Sequence, residues 1–121
     1  MSEISLEKGE GRTKLSLGAR RLGKDLLVTI TGGRAHAGAA GIGMFVNGKA
    51  TSSVITIPGH KEDMIAKQGA EKIAKQLKTN CVLIAGIHID NITKEEIETA
   101  VKNAEELIDE LIALAKKETL V

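Results

Sequence analysis

Aromatic side chains are almost absent: among 121 residues there is a single Phe, Phe45, and no Tyr or Trp. Base-stacking platforms, aromatic cages and aromatic-rich interfaces therefore have almost nothing to be built from. There is one cysteine, Cys81, which excludes an internal disulfide. It lies in an apolar run, which points to a reducing, cytoplasmic setting. Neither sign of charge is in excess, with 17 Lys and Arg against 16 Asp and Glu. Such balance argues against an electrostatic nucleic-acid binder. No apolar run approaches the roughly 20 residues a membrane span needs, and the opening Met-Ser-Glu-Ile-Ser is not that of a signal peptide. The expectation is one domain over residues 1–121, large enough to bury roughly two-thirds of the surface its unfolded chain exposes.

The single proline, Pro58, marks a change of composition. Residues 1–57 hold ten of the thirteen glycines and read as short strands joined by turns. Lys14–Arg20 alternates, with Leu15, Leu17 and Ala19 on one side, which predicts a strand with one wet face. Gly23-Lys24 is a turn, and Asp25–Thr31 is a more deeply buried strand. Gly41–Val46 and Ala50–Ile57 flank Asn47-Gly48-Lys49, where Asn-Gly supplies the positive φ of a tight hairpin. Ile4–Lys8 is a further edge strand. After Pro58, His60–Leu77 has helical apolar spacing, with Gly69 marking a close approach to the sheet. Cys81–Ile89 is a nearly unbroken apolar run, as expected of a central strand covered on both faces. Thr93 and Glu96 form a capping box, with Ile92 and Ile97 as its hydrophobic staple, and open a last helix running to about Lys117. These elements predict an α+β fold: a mainly antiparallel sheet of five to six strands with two helices packed on one face. Leu107, Ile112 and Leu114 widen the stripe of the last helix, which suggests either a self-association surface or a helix wedged between the sheet and its neighbour.

The candidate chemistry lies at element ends. His36, His60 and His88 each stand beside glycine or other turn-forming residues. Strand alternation puts His88 and Asp90 on one face, where polar groups need partners or a ligand. The histidines either share a site or serve separately as hydrogen-bonded turn residues. A zinc or iron site from three imidazoles and Asp90 is a rival, but no two histidines have close metal-motif spacing, so no metal is expected. Nucleophilic catalysis has weaker support. Cys81 has no basic neighbour in sequence, and Ser52-Ser53 lack a nucleophile-elbow setting. The stretch Gly38-Ala39-Ala40-Gly41-Ile42-Gly43 is not a dinucleotide fingerprint. Its bare amides suit an anion, with Arg34, His36, His60 and Lys61 adding positive charge near a helix start. The alternative is that these glycines permit a tight bend or close helix packing. The run Lys61-Glu62-Asp63 equally suits a solvated first helical turn.

Three segments together resemble a known family. They are Thr29-Ile30-Thr31-Gly32-Gly33 running into His36-Ala37-Gly38-Ala39, then Pro58-Gly59-His60-Lys61-Glu62, then Gly86-Ile87-His88-Ile89-Asp90-Asn91-Ile92-Thr93. The family is that of the prenylated-flavin chaperone LpdD-like proteins, and the resemblance runs from about residue 10 to residue 115. Its founding members accompany UbiD-type decarboxylases such as gallate decarboxylase, whose cofactor is prenylated FMN. The associated fold is similar to that of proteasome-assembly chaperones, which form dimers. The resemblance implies functional positions at His36, Pro58, Gly59, His60, Lys61, Glu62, His88, Asp90 and Asn91. It implies a non-catalytic maturation factor that binds prenylated FMN and hands it to a UbiD-like decarboxylase. The expected cofactor-binding set is Arg34, His36, Gly38, Gly59, His60, Lys61, Glu62, His88, Asp90 and Asn91, with no catalytic residue. Phe45 is the only aromatic available to cover the flavin ring. Two rival readings are a homodimeric assembly chaperone that holds a client protein without a small ligand, and a small histidine- or metal-dependent enzyme.

Overall fold

Alternating small and aliphatic residues with turn glycines build five strands of a six-stranded sheet before Pro58, and the apolar run between the two helices adds the sixth. The amphipathic stretches after Pro58 build the helices that cover it. A computed structural model describes residues 3–58 and 62–118. In chain order the elements are β1 (Ile4–Lys8), a 3-10 turn (Gly11–Thr13), β2 (Leu15–Leu22), β3 (Asp25–Gly33), β4 (Ala39–Val46), β5 (Lys49–Thr56), α1 (Asp63–Leu77), β6 (Cys81–His88) and α2 (Lys94–Lys117). The sheet order is β1-β2-β3-β6-β4-β5. All neighbouring pairs are antiparallel except β3 and β6, which run parallel from Leu26↔Cys81 to Gly33↔His88. That single parallel pair brings the C-terminal ends of β3 and β6 to the same edge of the molecule. The expected α+β architecture is the one observed.

Both helices lie on one face. Leu15, Leu17, Leu26, Val28, Ile30, Leu83 and Cys81 point into the core there and meet Ile73, Leu77, Leu107 and Leu111 from the helices. A side chain at Gly41 or Gly43 would run into the main chain of α1 at Ala66 and Ala70. Glycine spaced by two therefore lets the helix lie directly on β4. Gly69 performs the converse task, since a Cβ there would stand 2.7 Å from Ile108 Cδ1 and 2.9 Å from Leu83 Cδ1. Asn47 and Gly48 have φ of 53° and 78° and close the β4–β5 hairpin, as the Asn-Gly pair requires. Thr93 Oγ1 accepts from Glu96 N at 3.1 Å while Glu96 Oε1 accepts from Thr93 N at 3.0 Å, so the capping box forms as read.

The structure corrects one expectation and refines two. The strand expected from Gly41 starts two residues earlier, at Ala39, so of the glycines 38, 41 and 43 only Gly38 lies outside it. β6 is not covered on both faces: Cys81, Leu83 and Ala85 are buried under the helices, while Val82 and Ile84 face the open side and are only half-buried. Of the two readings of the wide stripe of α2, the wedged helix is the one seen for Leu107 and Ile112, which are buried in the core, while Leu114 is half-buried. The expected start of the first helix at His60 falls outside the described residues. Among those described, no helix is long and apolar enough to cross a membrane.

Candidate functional site

The parallel pairing of β3 and β6 ends at Gly33 and His88, and from there the chain builds a polar corner. The segment 34–38 crosses over β6. Arg34 N donates to His88 O and Gly38 N donates to Ala85 O, both at 2.9 Å. The crossing is possible only because Gly86 has no side chain, since a Cβ there would collide with the His36 carbonyl. It carries both Arg34 and His36 beside His88.

Arg34 meets the residues after β6. Its Nη2 lies 2.7 Å from Asp90 Oδ1 and 2.8 Å from His88 Nε2, and His88 Nε2 lies 3.0 Å from the same Asp90 oxygen. Guanidinium nitrogens only donate. The Arg34 contact therefore uses the lone pair of Nε2, whereas the Asp90 contact needs a proton there, and the two bonds are alternatives. The hydrogen bond from His88, followed by the charge of Arg34, holds the Asp90 carboxyl below the usual carboxylate range. Asn91 sits in the left-handed region at φ 51° and turns the chain toward α2.

His36 meets a different carboxylate. Its Nε2 lies 3.3 Å from Glu62 Oε2, and its ring meets that of His88 edge-on, with centroids 6.0 Å apart. Glu62 is 8% exposed, so it is not part of a solvated turn. Its carboxylate also accepts from Ile87 N at 3.4 Å and fills the space beside Gly38 that a side chain would need. The structure thus brings Arg34, His36, Gly38, Glu62, His88 and Asp90 together. Gly59, His60 and Lys61 lie outside the described residues. The amide of Gly38 is already bonded, and Gly41 and Gly43 lie under α1, so these glycines pack the fold instead of forming an anion cradle.

Two residues not singled out from sequence complete the corner. Arg12 Nη2 donates to Asp90 O at 2.5 Å, and Arg12 Nε donates to Glu96 Oε2 at 2.8 Å. That bond, with the backbone of Thr93, pushes the Glu96 carboxyl down to about 2. Lys14 pairs with Glu7 at 3.3 Å. Arg12, Lys14, Ser16, Thr31, Arg34 and His88 line an open groove of about 520 Å³. Its walls offer guanidinium, ammonium, hydroxyl and imidazole groups to an oxyanion. Nothing in sequence marks Arg12, whose partner Glu96 is 84 positions away.

Neither Cys81 nor Ser52 lies at the corner. Cys81 is buried at the far end of β6, and desolvation pushes its thiol up to about 12. Ser52 lies on β5, where its Oγ donates to Glu71 at 2.7 Å and accepts from Lys67 at 2.9 Å, tying that strand to α1. Among the described residues no group of three or more His, Cys, Asp or Glu side chains is arranged to hold a metal ion. Phe45 is also remote: its amide donates to Asn80 at the start of β6, the end opposite His88.

The chain that builds this fold matches a family of chaperone domains. The prenylated flavin chaperone LpdD-like domain matches residues 9–116, and the chain belongs to that family. Protein LpdD of Lactiplantibacillus plantarum (strain ATCC BAA-793 / NCIMB 8826 / WCFS1) is 29% identical over 98 residues, covering 76% of this chain and 70% of that protein. Among solved structures, a chain of a novel chaperone complex for yeast 20S proteasome assembly superposes with a TM-score of 0.61. It covers 98% of both chains at 13% identity, a likeness of fold.

Proposed function

We propose that this protein is a non-catalytic maturation chaperone that binds prenylated FMN, or its precursor, at the β3–β6 corner and delivers it to a UbiD-like decarboxylase. The observation that carries the reading is the meeting of Arg12 and Lys14, from the turn before β2, with Arg34, from the segment after β3, around one groove beside His88. Membership of the prenylated flavin chaperone family supports it. The cofactor's phosphate fits the guanidinium and ammonium groups of the groove, with Ser16 and Thr31 as hydroxyl partners. Prenylated FMN supplies the electron-accepting ring that decarboxylation needs in the client enzyme, and this chain's own task is to hold the anionic end. Phe45 cannot reach the corner, so Gly32, Gly33 and aliphatic side chains, or the client itself, form the wall against the ring.

A second reading, a homodimeric protein-assembly chaperone without a small ligand, is favoured by a different observation. Each groove cation already has a carboxylate partner: Glu96 for Arg12, Glu7 for Lys14 and Asp90 for Arg34. The test is reconstitution of a UbiD-like apo-decarboxylase with prenylated FMN, with and without this protein. The cofactor reading expects faster activation that Arg34→Ala and His88→Ala diminish. Activation by the variants equal to that by the native chain supports the protein-only reading, and no effect of the native chain removes the decarboxylase as client.

A further inference from the structure

The sheet ends in two very different edges. Among the described residues β1 and β5 are its outermost strands. A bare edge invites pairing with another chain, and proteins blunt it with short strands, charges, proline or bulges. β1 uses two of these devices: it is five residues long and carries Glu7 and Lys8, and Lys8 is tied to Glu110 of α2 at 3.3 Å. β5 uses none. It runs for eight residues without proline, its register with β4 is unbroken, and its one charge, Lys49, sits at the hairpin turn. The phase of the β4–β5 ladder sets what this edge offers. In a two-residue hairpin the closing pair, here Val46 and Lys49, exchanges both main-chain bonds, and every second pair after it does the same. The bond from Ile57 N to Gly38 O, at 2.9 Å, falls on that phase. Thr51, Ser53 and Ile55 therefore direct their main-chain groups to β4, while Ala50, Ser52, Val54 and Thr56 turn theirs outward. Lys67 and Glu71 of α1 meet Ser52 at its Oγ, which leaves its amide and carbonyl to the edge.

We infer that an extended segment of the client polypeptide pairs with the outer edge of β5 as a seventh strand. The inference rests on the chaperone reading above and names the surface by which the client is held. Donors and acceptors repeating every two residues, about 6.8 Å, match another extended main chain and not a small molecule. On the helix side the newcomer meets small or β-branched residues, Ala50, Ser52, Val54 and Thr56. A segment without proline, with aliphatic or β-branched residues at alternate positions, fits them best. Place favours the client as well. At its far end Thr56 pairs with Ala39, and Ile57 bonds to Gly38, where the segment that carries Arg34 and His36 ends. A strand added to β5 stands three spacings of about 4.8 Å, or about 14 Å, from β6. The client is then held beside the corner, in place to receive what the corner binds.

Amide hydrogen exchange of the full-length chain, alone and with a UbiD-like apo-decarboxylase, tests this residue by residue. Alone, Ala50, Ser52, Val54 and Thr56 should exchange fast and Thr51, Ser53 and Ile55 slowly. In the complex the first four should slow at least about tenfold. Ser52→Pro removes one outward donor that β4 does not use and should weaken the complex at least about tenfold. Ser52→Ala keeps that donor and should bind as the native chain does. Should Ser52→Pro fail to fold, Ala50→Pro read in the same way replaces it. A complex in which the four amides stay fast overturns the inference and leaves the chaperone reading intact, with the client held elsewhere. Equal weakening by Ser52→Ala and Ser52→Pro also overturns it, since the side chain and not the main chain then makes the contact. Protection that grows with the concentration of the chain alone gives the edge to a second copy and overturns it too. So does a native chain that forms no complex, and titration of prenylated FMN into the same sample without the enzyme then decides the cofactor reading separately.

Discussion

The main-chain carbonyl of His36 occupies the space that a side chain on Gly86 would need. One missing methyl group on β6 thus sets the path of the segment that carries Arg34 and His36. Gly86→Ala should push this segment off β6, breaking the Arg34–His88 backbone bond and separating Arg34 from Asp90. The expected cost is about 1–3 kcal/mol of stability, as for other overpacked sites, together with loss of ligand binding at the corner. Chemical denaturation and a binding titration on the same variant check both effects. Unchanged binding in a folded Gly86→Ala protein would show that the crossing does not position the site.

Gly43 tests the other close approach. A methyl group there would meet the Ala70 carbonyl in the main chain of α1, which cannot swing aside as a flexible side chain can. Gly43→Ala should cost about 1–3 kcal/mol or somewhat more, while leaving affinity at the corner nearly unchanged in the folded fraction. Thermal melting read beside a binding titration separates these outcomes.

The Arg12–Glu96 clamp gives an acid dependence. Glu96 has its carboxyl held at about 2 against an ordinary 4.5, first by the Arg12 hydrogen bond. A depressed carboxyl contributes stability above its unfolded value that is lost as pH falls through the folded value. The contribution should be whole at neutral pH and should fade between about 4.5 and about 2. Asp90, also lowered, acts in the same direction. Arg12→Ala should therefore lower stability at neutral pH and flatten its fall on acidification. Urea midpoints measured across that range check the slope, and a variant curve parallel to the native one would contradict the clamp.

Local signals carried most of the fold. Alternation in Leu15, Leu17 and Ala19, the Asn47-Gly48 turn and the Thr93–Glu96 box each act over a few residues, where spacing maps directly onto geometry. The central apolar strand was legible as a strand, but its covering was not. Val82 and Ile84 look the same in sequence whether a helix, a second copy or solvent lies above them. At the site, the pairing of His88 with Asp90 followed from alternation. The burial of Glu62 did not, because it depends on a segment from the other half of the chain crossing beside Gly38. Gly41 and Gly43 fit an anion loop and a close helix contact equally well, and only the placement of α1 decides between them. Arg12 carries no local signal, because its partners Asp90 and Glu96 are 78 and 84 positions away.

The central claim is that the corner holds the anionic end of a flavin cofactor, and titration with prenylated FMN tests it most directly. In a chain with no Trp or Tyr, the flavin's own absorption is read against a nearly transparent background. The account predicts saturable binding that Arg34→Ala weakens about tenfold, as expected for loss of a charge-assisted bond. Asp90→Asn should tighten binding about threefold by releasing Arg34 from its carboxylate. Absence of binding by FMN and its prenylated form at high micromolar concentration, or an Arg34→Ala variant that binds as the native chain does, would contradict it.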